Sequence, residues 1–338
     1  MNGTAASGGG VAAWALRLRV TGVIAFVLLL ALVFTALRPR FATAQNIEVV
    51  AANASILALA AAAQSVVLLT RNLDVSIGAI MGFAAYLTAD FAVHYPHAGP
   101  VIVLVAVLLG LLLGAINGLI VAYAQVSPLI ATLGTMSLYR GFTYIYARGQ
   151  QITSNRLPRW MLTAIDLRIG HFPCLILLCA AVVVALACFL RFFPLGRRIY
   201  AVGSNPVASV FYGLRIERVT LFAYMLTGAL CGFAGLLYAA RVGTVTVVLA
   251  SGWELSSLAA AVLGGVSVAG GSGSVIGAAL GALVLAAIDN GLVLLGIPEF
   301  WRMFVQGSAI VAAVGVDVLI AVQLRRSLQG RRFGGRLA

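Results

Sequence analysis

Long apolar runs separated by short polar connections extend over most of the chain. In windows of about twenty residues, the length that a helix needs to cross a bilayer, they lie near residues 20–37, 47–69, 75–93, 100–123, 128–147, 172–190, 219–241, 257–270, 274–296 and 302–323. The pattern predicts an all-α protein, a polytopic membrane bundle of about ten transmembrane helices. The glycine-rich stretch 264–277 predicts either a broken helix or a re-entrant turn.

The polar ends define three predicted parts of the chain. We expect a cytoplasmic tail at 1–19, a transmembrane domain at 20–323 and an arginine-rich cytoplasmic tail at 324–338. The first span has an alternative, because Arg17 and Arg19 precede it and small residues at 42–44 follow it, as in a cleaved signal peptide. Since Arg38 and Arg40 lie between the span and those small residues, we favour an uncleaved span.

A polar island at 191–218 interrupts the apolar runs. Basic side chains concentrate at both of its ends, which favours a cytoplasmic position: they are Arg191, Arg197, Arg198, Arg215 and Arg218. Asn205 suits a helix cap, Pro206 suits the first helical position, and Gly213 suits a left-handed exit. The island therefore predicts one cytoplasmic helix of about two turns that docks a soluble partner.

Composition and charge narrow the class of protein. Of the 338 residues, 62% are hydrophobic and 9% charged, more apolar than a soluble core requires. The net charge of +13 comes from arginines at the ends of apolar runs, which argues against a nucleic-acid-binding face. The four cysteines lie within apolar runs without metal-ligand spacing, so we expect no metal site.

The distribution of arginines predicts that both termini are cytoplasmic, because more of them fall in the inside connections than in the outside ones. The predicted outside loop 148–171 breaks this rule. It contains Arg148, Arg156, Arg159 and Arg168. Either the span count is wrong there, or these arginines have a function.

A polar stretch between the second and third spans carries Asn72, Asp74 and Ser76. One interpretation is a capped turn, in which Asp74 accepts hydrogen bonds from the amides of the next helix. The other is the inner end of a hydrophilic path across the membrane. Spacing alone leaves both open.

The fifth span carries five hydroxyl groups on one helical face: Thr132, Thr135, Tyr139, Thr143 and Tyr146. They either line a passage for a polar solute or bond to neighbouring helices. Arg140 lies about 18 Å into the same helix, so it must snorkel, pair or face water. Asp289 and Asp90 are both candidate partners, and Asp289 with Asn290 extends the candidate path.

No signal for nucleotide binding or for an enzyme is present. The glycines of 264–274 lack the spacing of a P-loop or a dinucleotide fold, and the chain contains no lysine. His94, His97 and His171 have no nucleophile or carboxylate at useful spacing. We therefore expect no cofactor on this chain and no catalytic residues.

Several stretches resemble the membrane subunits of bacterial ribose-type ABC sugar importers. Within that family, their residues are most similar to those of the autoinducer-2 importer permeases. The likeness covers about 250 residues in order. The stretches are LLTRNLDVSIG at 68–78, SPLIATLGTMSLYRG at 127–141, YAVGSNPVASVFYGLRI at 200–216, GWELSSLAAAVLGGVSVAGGSGSVIGAALGA at 252–282 and IDNGLVLLGIPEFWR at 288–302.

The resemblance implies a helix bundle in the bacterial inner membrane that dimerises with a second copy or a related permease. Two cytoplasmic ATPase subunits would carry the ATP and magnesium, and a periplasmic binding protein would deliver the solute. By likeness, the residues that couple to the ATPase are Gly196, Arg197, Gly203, Asn205, Pro206, Gly213 and Arg215. Relatives often have charged residues where this chain has Val207 and Val210, so we expect a more apolar docking surface.

The sequence therefore predicts the permease subunit of an ATP-driven importer for a monosaccharide or related small polyol, of the ribose, rhamnose, xylose or autoinducer-2 class. Arg148, Arg156 and Arg159 would then meet acidic residues of the binding protein, and Glu254 would lie at the same docking surface. The alternative is an ion-coupled carrier that uses Asp74, Asp289 or Arg140 as its ion site.

Overall fold

The protein is a bundle of helices in the computed structural model, which describes residues 7–305, 307, 308, 311 and 315, with side chains from residue 21 except 166. The α-helices are α1 Ser7–Leu37, α2 Ala44–Leu69, α3 Ile77–His94, α4 Val101–Ala122, α5 Pro128–Ala147, α6 Arg159–Asp166, α7 Cys174–Phe192, α8 Pro194–Ser204, α9 Pro206–Phe211, α10 Ile216–Val242, α11 Trp253–Leu263 and α12 Val275–Leu294. Pro39–Ala42 forms a 3₁₀ turn, and residues 299–305 are helical. A two-residue hairpin, β1 Arg168–Ile169 with β2 Phe172–Pro173, precedes α7. The all-α prediction is confirmed.

Six of the described helices are long and apolar enough to cross a membrane: α2, α3, α4, α7, α10 and α12. The apolar part of α1, Thr21–Leu37, and α11 are shorter. A count of about ten spans is thus not confirmed. Most of the predicted tenth span at 302–323, and the predicted tail at 324–338, lie outside the described residues.

Close packing of α4 against α10 forms one side of the bundle. Small residues recur every fourth position on both helices and face each other, which lets the backbones touch. A Cβ atom added at Gly114 would lie 2.2 Å from the carbonyl oxygen of Tyr224, and one at Gly228 would lie 2.2 Å from that of Gly110. Neither helix can therefore carry a larger residue there without moving apart.

The helix α2 lies in the middle of the bundle. Most of its side chains from Ala52 to Leu69 are buried on every face, which explains why its sequence is apolar all round instead of amphipathic. It packs against α10, α11 and α12. These contacts place α2 between α10, α11 and α12.

The bundle has two ends, which we name after the short helices that lie there. At the α8 end, the Gly271 amide donates to the carbonyl of Leu69 at 3.0 Å, where α2 finishes. At the α6 end, the Trp160 indole donates to the carbonyl of Pro96 at 2.8 Å. Successive long helices connect these two ends.

Two irregular connections fold back into the bundle instead of remaining at its ends. Residues 70–76 enter from the α8 end, since the Tyr224 hydroxyl on α10 donates to the carbonyl of Leu73 at 2.9 Å. Residues 243–252 enter from the α6 end, and the carbonyl of Ala250 reaches the first turn of α3 at Gly78. Irregular backbone at such depth is tolerated where protein surrounds it or where it lines a polar cavity.

The predicted eighth span differs from the observed structure. Instead of a helix at 257–270, α11 covers only Trp253–Leu263, and 264–274 is an irregular connection to α12. Four glycines in it adopt positive φ, which breaks the helix: Gly265, Gly270, Gly271 and Gly273. Gly264 and Gly277 touch, which closes the α11–α12 hairpin.

The polar island forms two helices, α8 and α9, and not the single helix that the sequence predicted. The predicted caps of α9 are confirmed. The side chain of Asn205 accepts a hydrogen bond from the Ala208 amide at 3.0 Å, Pro206 lies in the first turn, and Gly213 has φ of +76°. The sequence missed α8, which begins at Pro194.

Candidate functional site

A buried polar cluster forms where the connection 70–76 meets α4. The Asp74 carboxylate accepts from the amide of Ser76 at 2.8 Å and from its hydroxyl at 2.6 Å. The Asn117 amide donates to Ser76 Oγ at 2.7 Å and lies 3.4 Å from Asp74 Oδ2. Asp74 is only 1% exposed, and no described residue forms a salt bridge with it.

Neutral donors thus hold the carboxyl group of Asp74. Sequence reasoning did not identify Asn117, because a lone asparagine in an apolar run gives no signal of its partners. Asn72 lies apart from the cluster, where its amide donates to Thr70.

The hydroxyl face of α5 is directed at this cluster. Thr132 accepts from the Val75 amide at 3.1 Å, and the Tyr139 hydroxyl lies 2.9 Å from the carbonyl of Leu113 and 3.1 Å from Asn117 Oδ1. Thr135 bonds within its own helix. In this arrangement, the hydroxyl groups bond to neighbouring elements and to their own helix, which was one of the two interpretations left open.

Next to Tyr139, Arg140 forms the second part of the polar centre. Its Nη1 donates to the carbonyl of Leu249 in the connection 243–252, at 2.8 Å, while its Nη2 is buried with no hydrogen-bond partner. Glu254, at the start of α11, is a carboxylate on the neighbouring side of the same space. The Oε2 atom of Glu254 is also buried without a hydrogen-bond partner.

Two glycines of α3 make room for these charged groups. A Cβ atom at Gly78 would lie 2.2 Å from Glu254 Oε2, and one at Gly82 would lie 2.9 Å from Arg140 Nη1. The two glycines are one turn apart on the same face. The guanidinium and the carboxylate are therefore seated side by side against α3.

Neither sequence-proposed partner pairs with Arg140. Asp90 accepts a hydrogen bond from the Tyr146 hydroxyl at 2.6 Å, and Asp289 forms an ion pair with Arg302 at 2.9 Å. Asn290 is separate from both, since it accepts from Asn46 at 2.9 Å. The structure thus divides the residues proposed for the path into a central group and an α12 group.

The arginines proposed for protein docking lie exposed at the α6 end. Arg148 ends α5 in a left-handed conformation, Arg156 lies in the following loop, and Arg159 begins α6. Glu254 is placed elsewhere, in the polar centre. The α6 end therefore carries a basic surface, to which Glu254 does not contribute.

The helices α8 and α9 combine a buried attachment with an exposed apolar face. The exposed side chains of this face, which we call the α9 face, are Val207, Val210, Phe211 and Tyr212. Phe211 and Tyr212 are each 86% exposed. Sequence reasoning did not single out these two aromatics, although their position just before the terminating Gly213 could have drawn attention to them.

Buried glycines hold the same helices against the bundle. A Cβ atom at Gly203 would lie 1.7 Å from the carbonyl of Leu69, and one at Gly196 would lie 2.4 Å from Leu190 Cα. Arg71 completes the attachment, donating to the carbonyl oxygens of Gly203 at 2.5 Å and Ser204 at 2.9 Å. Arg197 precedes this attachment in the chain, Arg215 follows it, and both are exposed.

Comparison of the sequence with known proteins assigns the chain to a protein family. The family model described as "Branched-chain amino acid transport system / permease component" matches residues 46–314. The chain belongs to this family of permease components. It is also 35% identical over 319 residues to the autoinducer 2 import system permease protein LsrC of Escherichia coli (strain K12 / DH10B), covering 93% of this chain and 91% of the relative.

A second similar protein carries the same name as the first. The protein of the same name from Salmonella paratyphi B (strain ATCC BAA-1250 / SPB7) is 34% identical over 303 residues, which cover 88% of this chain and 85% of the relative. No solved structure matches the chain.

Family membership establishes the general class of the protein. It is an integral membrane permease component of an ABC importer, with ATPase and binding-protein partners in general terms. Its homologues are transporter subunits, which are not enzymes themselves.

Proposed function

We propose that the chain is the permease subunit of a binding-protein-dependent importer for a monosaccharide or related small polyol, of the ribose, rhamnose, xylose or autoinducer-2 class. Its similarity to permeases named for autoinducer 2 import supports this substrate class. ATP and magnesium bind the separate ATPase, and this chain holds no cofactor or metal of its own. The partner permease is a second copy or a related chain.

The proposed setting is the bacterial inner membrane, crossed by about ten spans within 20–323. The α8 end faces the cytoplasm, together with both tails at 1–19 and 324–338. The island arginines and the exposed α9 face support this orientation. The periplasmic binding protein then meets the α6 end, where Arg148, Arg156 and Arg159 are exposed to receive acidic side chains.

The α9 face fits an apolar groove on the ATPase. Four adjacent apolar or aromatic side chains are exposed there, more than a soluble surface ordinarily presents on one short helix. A family relative with charges at these positions would require a different groove. The chemistry of Val207 and Val210 thus contributes to the choice of ATPase.

The link from Arg71 to Gly203 and Ser204 is the observation that carries the proposal. It joins the cytoplasmic helices directly to the connection 70–76. That connection contains Asp74, which bonds through Ser76 and Asn117 to Tyr139 on α5. Motion of α8, to which α9 is joined at Asn205, can therefore reach α5 through the connection 70–76 and this series of hydrogen bonds.

The proposed path for solute follows these elements across the bundle. Its inner part is lined by Asn72, Asp74, Ser76, Thr132, Thr135 and Tyr139, and its middle by Arg140. Asp289 and Asn290 belong to its outer part. Because Asp74, Ser76 and Tyr139 are linked by hydrogen bonds through Asn117 in this arrangement, transport requires some of these bonds to exchange for bonds with solute or water.

The substitution Gly213→Pro tests the coupling role. Gly213 has φ of +76° and its amide donates to Val210, which proline cannot reproduce, yet no atom lies within 4 Å of its Cβ position. We expect the variant, reconstituted with its ATPase and binding protein, to insert normally and lose ATP-driven uptake. Gly296→Pro is the matched control, with φ of +74°, a similar hydrogen bond to Val293 and open space. Normal uptake by Gly213→Pro would contradict the proposal.

A second function class, an ion-coupled carrier, is favoured by one observation. Asp74 is a buried carboxyl group with no salt bridge to a described residue, as expected of a proton site. Uptake that stops with a protonophore while ATP stays high, and that persists without any ATPase, would support this alternative. We expect the opposite result for both measurements.

A further inference from the structure

A cavity of about 450 Å³ lies between α2, α11, α12 and the helical residues 299–305. This volume is within the range of small-molecule sites, about 300 to 1,000 Å³. Asp289 on its wall is close to the end of α12 at Leu294, which places the cavity towards the α6 end. Buried apolar side chains, among them Ile56 and Leu285, form part of its wall.

Polar groups without partners line this cavity from four parts of the chain. The side-chain amide of Asn53 on α2 makes no hydrogen bond with any described residue, and neither does the hydroxyl of Ser251 before α11. On α12, Asp289 uses Oδ1 for Arg302, and its Oδ2 accepts nothing from the described residues. Arg302 itself has a buried Nε without a partner. Free donors and acceptors thus converge on one space.

An aromatic pair forms another wall. The rings of Tyr238 and Trp253 lie with their centroids 4.5 Å apart and tilted by 39°, and both residues line the cavity. Aromatic faces of this kind present a large rigid apolar surface with a polar edge. A ring bearing hydroxyls on its rim and C–H groups on its face matches both features.

The charges around the cavity select against anions. Arg302 pairs with both Asp289 and Glu299, so two carboxylates face one guanidinium. The local charge is net negative, which repels a carboxylate or a phosphate. A neutral molecule suffers no such repulsion, and its hydroxyls can donate to Asp289 Oδ2 and accept from Asn53.

We propose that this cavity binds a neutral polyhydroxylated solute at the side where the binding protein delivers it. The proposal rests on the importer function and adds to it a binding site within a single permease chain. The site is separate from the polar centre at Arg140, and Asp289 and Asn53 provide its selectivity for uncharged polyols.

The test is direct binding of D-ribose, D-xylose and L-rhamnose to the purified full chain in nanodiscs, followed by saturation-transfer NMR. D-ribonate serves as the acidic analogue. We expect at least one neutral sugar to bind and ribonate to be rejected. Asn53→Leu should weaken binding by about tenfold through the lost hydrogen bonds. Gln45→Leu, which removes another exposed amide from α2 outside the cavity, should leave binding unchanged.

Asp289→Asn provides an independent readout that a loss of folding could not produce. Removal of its charge leaves Arg302 with Glu299 alone, so we expect the variant to accept ribonate better than the unmodified chain does. Failure of all three sugars to bind, or equal binding by Asn53→Leu, would overturn the proposal. If ATP-driven uptake persists in that case, only the cavity site is lost and the importer function stands.

Discussion

Two pairs of glycines with the same spacing have different roles in this protein. Gly110 and Gly114 of α4 meet the backbone of α10, so they allow two helices to touch. Gly78 and Gly82 of α3 meet the connection 243–252 and the charged ends of Glu254 and Arg140. One pair serves helix packing, and the other makes room for an irregular segment and two charges.

The comparison shows that two glycines spaced four residues apart on a helix do not by themselves specify which groups pack against them. Against α10, the neighbouring atoms belong to a helix and can move only with it. Against α3, they belong to side-chain ends and to a non-helical segment, which can shift separately. We therefore expect the same substitution to affect folding at α4 and transport at α3.

The largest effect on stability is expected for Gly114→Leu. Its side chain would collide with the Tyr224 carbonyl, 2.2 Å from the Cβ position, and force α4 from α10. We expect a loss of at least about 3 kcal/mol, the upper range of overpacking, seen as a lower melting temperature and a lower folded yield. Gly22→Leu is the control, because nothing lies within 4 Å of its Cβ position.

Removal of the guanidinium of Arg140 is expected to have the second-largest effect on stability. Arg140→Met leaves the Leu249 carbonyl without its donor and the buried Oε2 of Glu254 without the nearby positive charge, so we expect a loss of about 2 kcal/mol, the cost of an unsatisfied buried group. Combination with Glu254→Gln should recover part of this loss, since the carboxylate is then replaced by a neutral amide while the Leu249 carbonyl still lacks its donor. Thermal unfolding of the two single variants and the double variant measures the coupling, and strictly additive losses would argue against a charge pair.

A smaller effect on stability is expected for Gly82→Ala. The new Cβ would lie 2.6 Å from the carbonyl of Leu249 and 2.9 Å from Arg140 Nη1. Since the connection 243–252 can shift, we expect a loss of about 1 kcal/mol with a pronounced fall in ATP-driven uptake. If instead Gly82→Ala destabilises the protein as much as Gly114→Ala, the distinction between the two glycine pairs is wrong.

The smallest effect is expected for Glu48→Ala. Glu48 pairs with Arg168 at 2.7 Å, but both side chains are exposed. Exposed pairs contribute about 0 to 1 kcal/mol, so the melting temperature should barely change. A large change would show that charge pairs at the surface matter as much as the one against α3.

Much of the fold follows from local pattern. Apolar run lengths located α2, α3, α4, α5, α7, α10 and α12 to within a few residues, because a bilayer sets the length of a span and hydropathy reports it. The caps of α9 were equally predictable, since Asn205 and Gly213 act on their own neighbours. α11 was overextended because glycines with positive φ end it at Leu263 in a stretch that is otherwise apolar.

The candidate site was predictable only in part. Asp74, Ser76 and Tyr139 were identified individually, and the structure joins them through Asn117, which no pattern had marked. The partner of Arg140 could not be predicted, because its contact with Leu249 spans 109 positions of the chain. The link from Arg71 to Gly203 spans 132.

The sequence alone determined that this protein is a membrane helix bundle with a capped polar island, because the length of apolar runs and the chemistry of caps are local properties. Only the tertiary structure decided that two connections enter the bundle, that Glu254 and Arg140 lie against the same face of α3, and that Arg71, just before Asp74, contacts α8. Those arrangements depend on which helix faces meet. Hydropathy cannot rank the alternatives, since every apolar face is equally compatible with lipid and with another helix.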